Sequence, residues 1–155
     1  VRHAGISKVR GTFNEVSADL NVGEESTVTA SVNVGSLDTG NADRDAHVKG
    51  ADFFDTENHP EMTFTSTSIE SDGEDFTLNG DLTIKGETRP VSFTGEFGGV
   101  AVDPFGATRA GFSVAASISR KEFGITWNAA LETGGVLVSD KVTISLDVAF
   151  VAPTA

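Results

Sequence analysis

Alternation of apolar and polar residues with a period of two runs through most of this chain, and no other feature narrows its fold so far. It is cleanest near the end, where Val142, Ile144, Leu146, Val148 and Phe150 alternate with Thr143, Ser145, Asp147 and Ala149. That is the pattern of a half-buried strand, whose successive side chains point to opposite faces of a sheet. The same period runs through Val28, Ala30, Val32 and Val34, through Phe76, Leu78, Leu82 and Ile84, through Val91, Phe93 and Phe97, and through Phe112, Val114, Ala116 and Ile118. It is looser in Val9, Gly11 and Phe13 and in Ala18, Leu20 and Val22. Roughly six to eight strands are predicted.

Turn chemistry separates these runs. Ser71-Asp72-Gly73, Lys85-Gly86-Glu87, Asp103-Pro104-Phe105-Gly106 and Thr133-Gly134-Gly135 all supply residues that tolerate tight or left-handed backbone. Links this short favour antiparallel neighbours. A flat sheet of such length leaves an apolar face uncovered, and almost no helical pattern is available to cover it. Two packed sheets or one closed barrel are the remedies. Gly80 and Gly95 fall on the inward phase of neighbouring strands, where a small residue permits a sharp bend or makes room inside, so a barrel is expected.

One charged insertion, Ser36 to Thr67, interrupts the alternation. A single helix is predicted there from Ala42 to Lys49, with Asn41 as its N-cap, Asp43 and Asp45 at the positive end of its dipole, and Gly50 to stop it. Phe53 and Phe54 follow in an irregular turn with both rings expected underneath it. Asn58-His59-Pro60 then forces extended backbone into a strand carrying Met62 and Phe64.

Composition excludes more than it selects. The 155 residues suit one domain, and a net charge of −12 repels phosphate backbones, so nucleic acid is not an expected partner. No apolar run approaches the roughly 20 residues of a spanning helix. With no cysteine and three scattered histidines, thiol chemistry is absent and a soft metal site has little material. No metal and no cofactor are expected. Eleven phenylalanines, one tryptophan and no tyrosine make the aromatic inventory almost wholly apolar, which suits a greasy ligand better than a polar substrate.

Five phrases in order resemble the YceI-like family of polyisoprenoid-binding proteins. They are Arg2-His3-Ala4-Gly5-Ile6-Ser7-Lys8-Val9-Arg10-Gly11-Thr12-Phe13; Asn41-Ala42-Asp43-Arg44-Asp45-Ala46-His47 running to Asp52-Phe53-Phe54-Asp55; His59-Pro60-Glu61-Met62-Thr63-Phe64; Gly80-Asp81-Leu82-Thr83-Ile84-Lys85-Gly86-Glu87-Thr88-Arg89-Pro90-Val91; and Ser119-Arg120-Lys121-Glu122-Phe123-Gly124-Ile125. Any one is weak, but their order across nearly the whole chain is specific. The resemblance implies an all-β fold: an extended, lipocalin-like barrel of eight antiparallel strands with one short helix between strands, spanning residues 1–155 as one domain. It also implies an apolar lumen for a long isoprenoid chain or an isoprenoid quinone. Family members usually carry a segment ahead of the His3 phrase, so the first strand is expected to begin upstream of Val1. The cytoplasm is the default compartment, and a signal peptide upstream of Val1 implies the periplasm or the exterior. An unpaired first-strand edge invites a homodimer.

The lumen candidates, inward by phase, are Phe64, Phe76, Leu78, Leu82, Ile84, Phe93, Phe97, Phe112, Val114, Leu146 and Phe150, joined by Phe123 and Trp127 in the turn after the Ser119 phrase. Each has a plainer reading, because small barrels can be filled by their own side chains. Trp127 either lids a tunnel mouth or plugs a barrel end. His47 and His59 flank Asp52, Asp55 and Glu57 at spacings that match no ligand motif, which reads as a solvated loop. His3 is read as satisfying a backbone carbonyl near a barrel end. Arg44 with Asp43 and Asp45, and Arg120 with Glu122, read as ion pairs or as backbone clamps that pin loops.

No nucleophile elbow or phosphate loop is present, so no catalytic residue is expected. Carriage or storage of an isoprenoid lipid leads. An enzyme that isomerises or cyclises an apolar substrate, using one acid such as Asp81 or Glu132, is the alternative from another class, and a solid-core interaction module is a third. Asp81 lies on the outward phase, which counts against it.

Overall fold

A computed structural model describes residues 1–4, 7–21, 25–129 and 137–152. Its strands are β1 (Arg2–His3), β2 (Ser7–Lys8), β3 (Thr12–Phe13), β4 (Val16–Asn21), β5 (Thr27–Asn33), β6 (Leu37–Asp38), β7 (Glu61–Asp72), β8 (Asp75–Ile84), β9 (Glu87–Val102), β10 (Thr108–Ser119) and β11 (Lys141–Val151). Helix α1 covers Ala42–Lys49, and single 3-10 turns occupy Val34–Ser36 and Arg120–Phe123. Val22, Glu132 and the Thr133-Gly134-Gly135 turn lie outside the described residues.

Seven strands form one antiparallel sheet in the order β11-β10-β9-β8-β7-β5-β4. Long hairpins supply most of its ladders, as the short turn chemistry requires. The sheet curls until its edges, β4 and β11, approach each other, but among the described residues no ladder joins them. The expected all-β antiparallel barrel architecture with one short helix is present as a curled half-barrel, whose main sheet has seven strands where eight were expected. The count differs at the first strand. The segment expected to supply a continuous first strand is split, with Ser7–Lys8 paired to Arg2–His3 and Thr12–Phe13 paired to Leu37–Asp38. Gly11 sits at the break, where a Cβ would meet the Thr39 methyl at 2.9 Å and Leu37 Cδ1 at 3.2 Å.

Two glycines let the sheet bend. A Cβ on Gly95 would fall 1.8 Å from the carbonyl oxygen of Ser113 on β10, and one on Gly80 would fall 2.4 Å from both the Phe64 ring and the Thr65 carbonyl. Only hydrogen fits at either position. Two bulges then shift the alternation. On β7 the inward set changes from Met62 and Phe64 to Ile69 across the irregularity between Ser66 and Ser68, where the Ser66 hydroxyl accepts the Val28 N–H at 2.8 Å. On β9 the sheet face that carries Phe93 and Phe97 passes to Val100 and Val102, both exposed, because Phe97 faces Phe112 while Gly99 faces Gly111.

The concave face carries the core. Val28, Val34, Met62, Phe64, Leu78, Leu82, Ile84, Phe93, Val114, Ala116, Phe123 and Ile125 form one buried cluster. At roughly 1.5–3 kcal/mol for each fully buried large apolar side chain, this face dominates the stability of the fold.

Helix α1 has the bounds predicted for it. The Asn41 side chain accepts the Arg44 N–H at 3.0 Å, and Gly50 ends the helix by donating to the His47 carbonyl at 3.1 Å. No residue of the helix is buried. It is held instead by its flanks: Arg44 donates from Nε to Thr39 Oγ1 at 2.8 Å and from Nη2 to the Thr39 carbonyl at 2.6 Å, while Asp45 accepts the Thr39 N–H and hydroxyl. These bonds hold the Asp45 carboxyl below its ordinary pKa, chiefly through the Thr39 hydroxyl. Arg44 is thus a clamp on Thr39.

Candidate functional site

The curled sheet has two different ends. One is closed by α1, the loop after it and the turn that follows β10. There Phe53 and Phe54 are half-buried against the core, and Phe54 meets Phe13 edge-on at 6.0 Å. Trp127 packs over Phe53 at 5.3 Å and against His47 at 4.9 Å. The His47 Nε2 lies 2.9 Å from the Asp52 carboxylate.

Arg120 locks this end. It is buried, and its guanidinium donates to four carbonyls: Nε to Ser139 at 2.9 Å, Nη1 to Ile125 at 2.8 Å and to Trp127 at 2.9 Å, and Nη2 to Val138 at 3.1 Å. Burial pushes its pKa down, opposed by the charge of Asp140. Asp140 accepts the Ser119 hydroxyl at 2.6 Å and the Lys121 N–H at 3.2 Å, and the Ser119 bond holds its carboxyl below the ordinary value. No salt bridge joins Arg120 to Glu122 among the described residues. Of the two readings for this arginine, the geometry is that of a backbone clamp. It ties the turn carrying Phe123 and Trp127 to the segment that leads into β11.

The other end is built from β8, β9, β10 and β11. Four half-buried phenylalanines meet there: Phe112 contacts Phe76 at 5.1 Å, Phe97 at 5.1 Å and Phe150 at 5.8 Å between ring centroids. The pairing explains the cluster. Phe112 stands opposite Phe97 on β9 and Val148 on β11, and Phe76 faces Gly95, which brings no side chain of its own to the face.

Burial sorts the thirteen lumen candidates into two groups. Phe64, Leu78, Leu82, Ile84, Phe93, Val114 and Phe123 are buried in the core cluster, whereas Phe76, Phe97, Phe112, Trp127, Leu146 and Phe150 are half-buried. The half-buried ones other than Trp127, four phenylalanines and Leu146, form an apolar surface running from mid-sheet to the open end. Trp127 stands apart at the closed end, tilted 56° against Phe53. Met62, Val28 and Ile125 join the core without having been singled out as lumen residues. The signal for Val28 and Met62 was their strand phase, and for Ile125 its position just after Phe123-Gly124.

The polar candidates do not converge. Asp81 is exposed and pairs in register with Thr65 and Pro90. His3 is exposed, its backbone bridged to Val138, and His59 lies beside Gly86. Asp55 accepts from the Asn58 side chain at 2.9 Å. Among the described residues, no three His, Asp or Glu side chains come together as a metal would need. No helix there is long and apolar enough to cross a membrane.

Comparison with known proteins supplies the relatives. The family model described as the YceI-like domain matches residues 1–150. A UPF0312 protein of Staphylococcus epidermidis is 39% identical over 155 residues, covering 97% of this chain and 88% of its own length. Protein YceI of Escherichia coli is 39% identical over 129 residues, covering 81% of this chain and 68% of its own. Among solved structures, the YceI protein of Campylobacter jejuni superposes with a TM-score of 0.82 at 30% identity, covering 99% of this chain and 91% of that one. BcnA of Burkholderia cenocepacia gives 0.77 at 24% identity over 90% of this chain and 86% of that one, a likeness of fold.

Proposed function

Because this chain belongs to the YceI-like domain family, we propose that its concave face binds a long apolar lipid, a polyisoprenoid or an isoprenoid quinone, for carriage or storage. The observation that carries this reading is the gradient of burial. Phe64, Leu78, Leu82 and Phe93 are packed away, while Phe76, Phe97, Phe112, Leu146 and Phe150 leave half-buried apolar surface at the end not covered by α1. An apolar wall with no convergent polar groups suits a hydrocarbon chain and gives a head group little to hold. The reading assigns no catalytic residue, and the relatives described above carry no enzymatic name.

The energetics favour length. At about 0.8 kcal/mol per buried CH₂, one isoprene unit contributes roughly 4 kcal/mol. Association costs an estimated 4–15 kcal/mol, so one or two units bind poorly while a longer tail reaches micromolar, about −8 kcal/mol. The sheet edges β4 and β11 are also where a second copy would pair in a homodimer.

Native mass spectrometry of the purified protein tests the reading. A prenyl lipid that co-purifies, or that binds when added, is the expected result. A protein that stays bare with every added isoprenoid overturns it.

A further inference from the structure

Strand β9 is longer than its partner on one side. Its register with β8 ends where Glu96 faces Asp75, the Phe97 N–H still donates to the Glu74 carbonyl at 2.9 Å, and β9 then runs on from Gly98 to Val102, about 16 Å at 3.3 Å per residue, along β10. The hairpin therefore stands out beyond the open end. At its tip Phe105 is 94% exposed, and Val102 and Val100 are 69% and 64% exposed.

The turn holding Phe105 is ordered. Asp103 accepts the N–H groups of Phe105 at 2.9 Å and Ala107 at 3.0 Å, and the Gly106 N–H returns to the Asp103 carbonyl at 3.0 Å with Gly106 at φ +83°. Arg109 Nε donates to the same carboxylate at 2.7 Å. Asp103 and Arg109 are the only charged residues between Phe97 and Phe112, and they neutralise each other in a protein of net charge −12. The tip is thus an apolar, uncharged projection on an acidic body. A basic partner finds no free carboxylate on it, an anionic surface is repelled by the body, and a second copy meets the same net charge.

The apolar stripe also continues into the site. Val102 faces Thr108, Val100 faces Ala110, which faces Phe150, and Phe97 faces Phe112. One face of the hairpin therefore leads from its tip to the aromatic cluster.

We infer that the β9–β10 hairpin docks on the surface of an uncharged or zwitterionic lipid bilayer, with Phe105 and Val102 inserted at the interface. The purpose, passing an apolar chain between bilayer and lumen, rests on the lipid-binding reading. The docking itself does not.

Flotation with phosphatidylcholine vesicles tests it, comparing the wild-type chain with Phe105→Ser and with Phe105→Ser/Val102→Ser, each first checked for an unchanged melting temperature. Wild type is expected to float with the vesicles, the single variant to partition about tenfold less, as the loss of a buried aromatic side chain requires, and the double variant to stay at the bottom. Adding phosphatidylglycerol is expected to weaken wild-type flotation. Wild type that does not float, or a folded double variant that floats equally well, overturns the inference. So does light scattering that shows the tip holding a dimer instead. Geranylgeraniol binding measured without vesicles separates the two ideas: a protein that binds the alcohol but does not float loses only the docking, and one that floats but ignores the alcohol loses only the lumen reading.

Discussion

Phe64 reaches across an entire strand to Phe93. Their rings meet edge to face, 5.3 Å apart and 88° between planes, although β8 runs between the strands that carry them. The space they share lies over Gly80, where a Cβ would stand 2.4 Å from the Phe64 ring. A residue without a side chain thus allows the two aromatics to pack across the concave face.

Gly80→Ala is therefore expected to destabilise the fold by about 1–3 kcal/mol through overpacking. Adding Phe64→Ala relieves part of that clash but not the contact with the Thr65 carbonyl, also at 2.4 Å. Urea denaturation of both single variants and the double is expected to show a double variant less destabilised than the sum of the singles.

Arg120→Met removes a donor from four carbonyls at once, although Val138 keeps the Asn128 side chain at 2.7 Å. A buried acceptor left unpaired, as Ile125 would be, costs about 1–3 kcal/mol, so marked destabilisation is expected. Arg120→Lys is expected to rescue little, because a compact ammonium cannot reproduce the spread of a planar guanidinium. Thermal unfolding of the two variants checks both statements.

Asp140 ties its clamp to pH. Its folded pKa lies below the unfolded value of 3.8, first because of the Ser119 hydroxyl. The stabilisation is therefore complete above the unfolded value and is lost as pH falls through the lower folded one. Asp140→Asn is expected to lower the melting temperature at neutral pH, and the gap to wild type is expected to close in strong acid. A gap that widens on acidification contradicts this.

The two groups of lumen residues should separate experimentally. Phe123→Ala, at a fully buried position in the closed end, is expected to cost about 3–5 kcal/mol of stability. Phe112→Ala, at the half-buried centre of the aromatic cluster, is expected to cost less stability and to weaken isoprenoid binding more. Calorimetric titration alongside thermal unfolding reads both effects.

What the sequence disclosed follows from which forces are local. Helix α1 was legible to the residue because Asn41 and Gly50 are local signals. Most strands of the sheet were legible because their phase is unbroken, as in Val142 to Phe150. The full length of β9 was hidden, since the Gly98-Gly99 pair carries no side chain and the bulge there moves the apolar phase from Phe97 to Val100. The split of the first strand was hidden because its pieces pair with different segments, Ser7–Lys8 with Arg2–His3 and Thr12–Phe13 with Leu37–Asp38, and no periodicity records a pairing between distant segments. The site was legible as a list of inward residues. Its division into packed core and half-buried wall was not, because burial depends on how far the sheet curls.

The central claim is that the half-buried aromatic wall holds a long hydrocarbon chain, and the most direct measurement is affinity against isoprenoid length. Titrating the protein with geraniol, farnesol, geranylgeraniol and solanesol is expected to give affinity that rises with each added unit until the wall is covered and then levels. Equal affinity for the shortest and longest alcohols, or no binding by any of them, contradicts it.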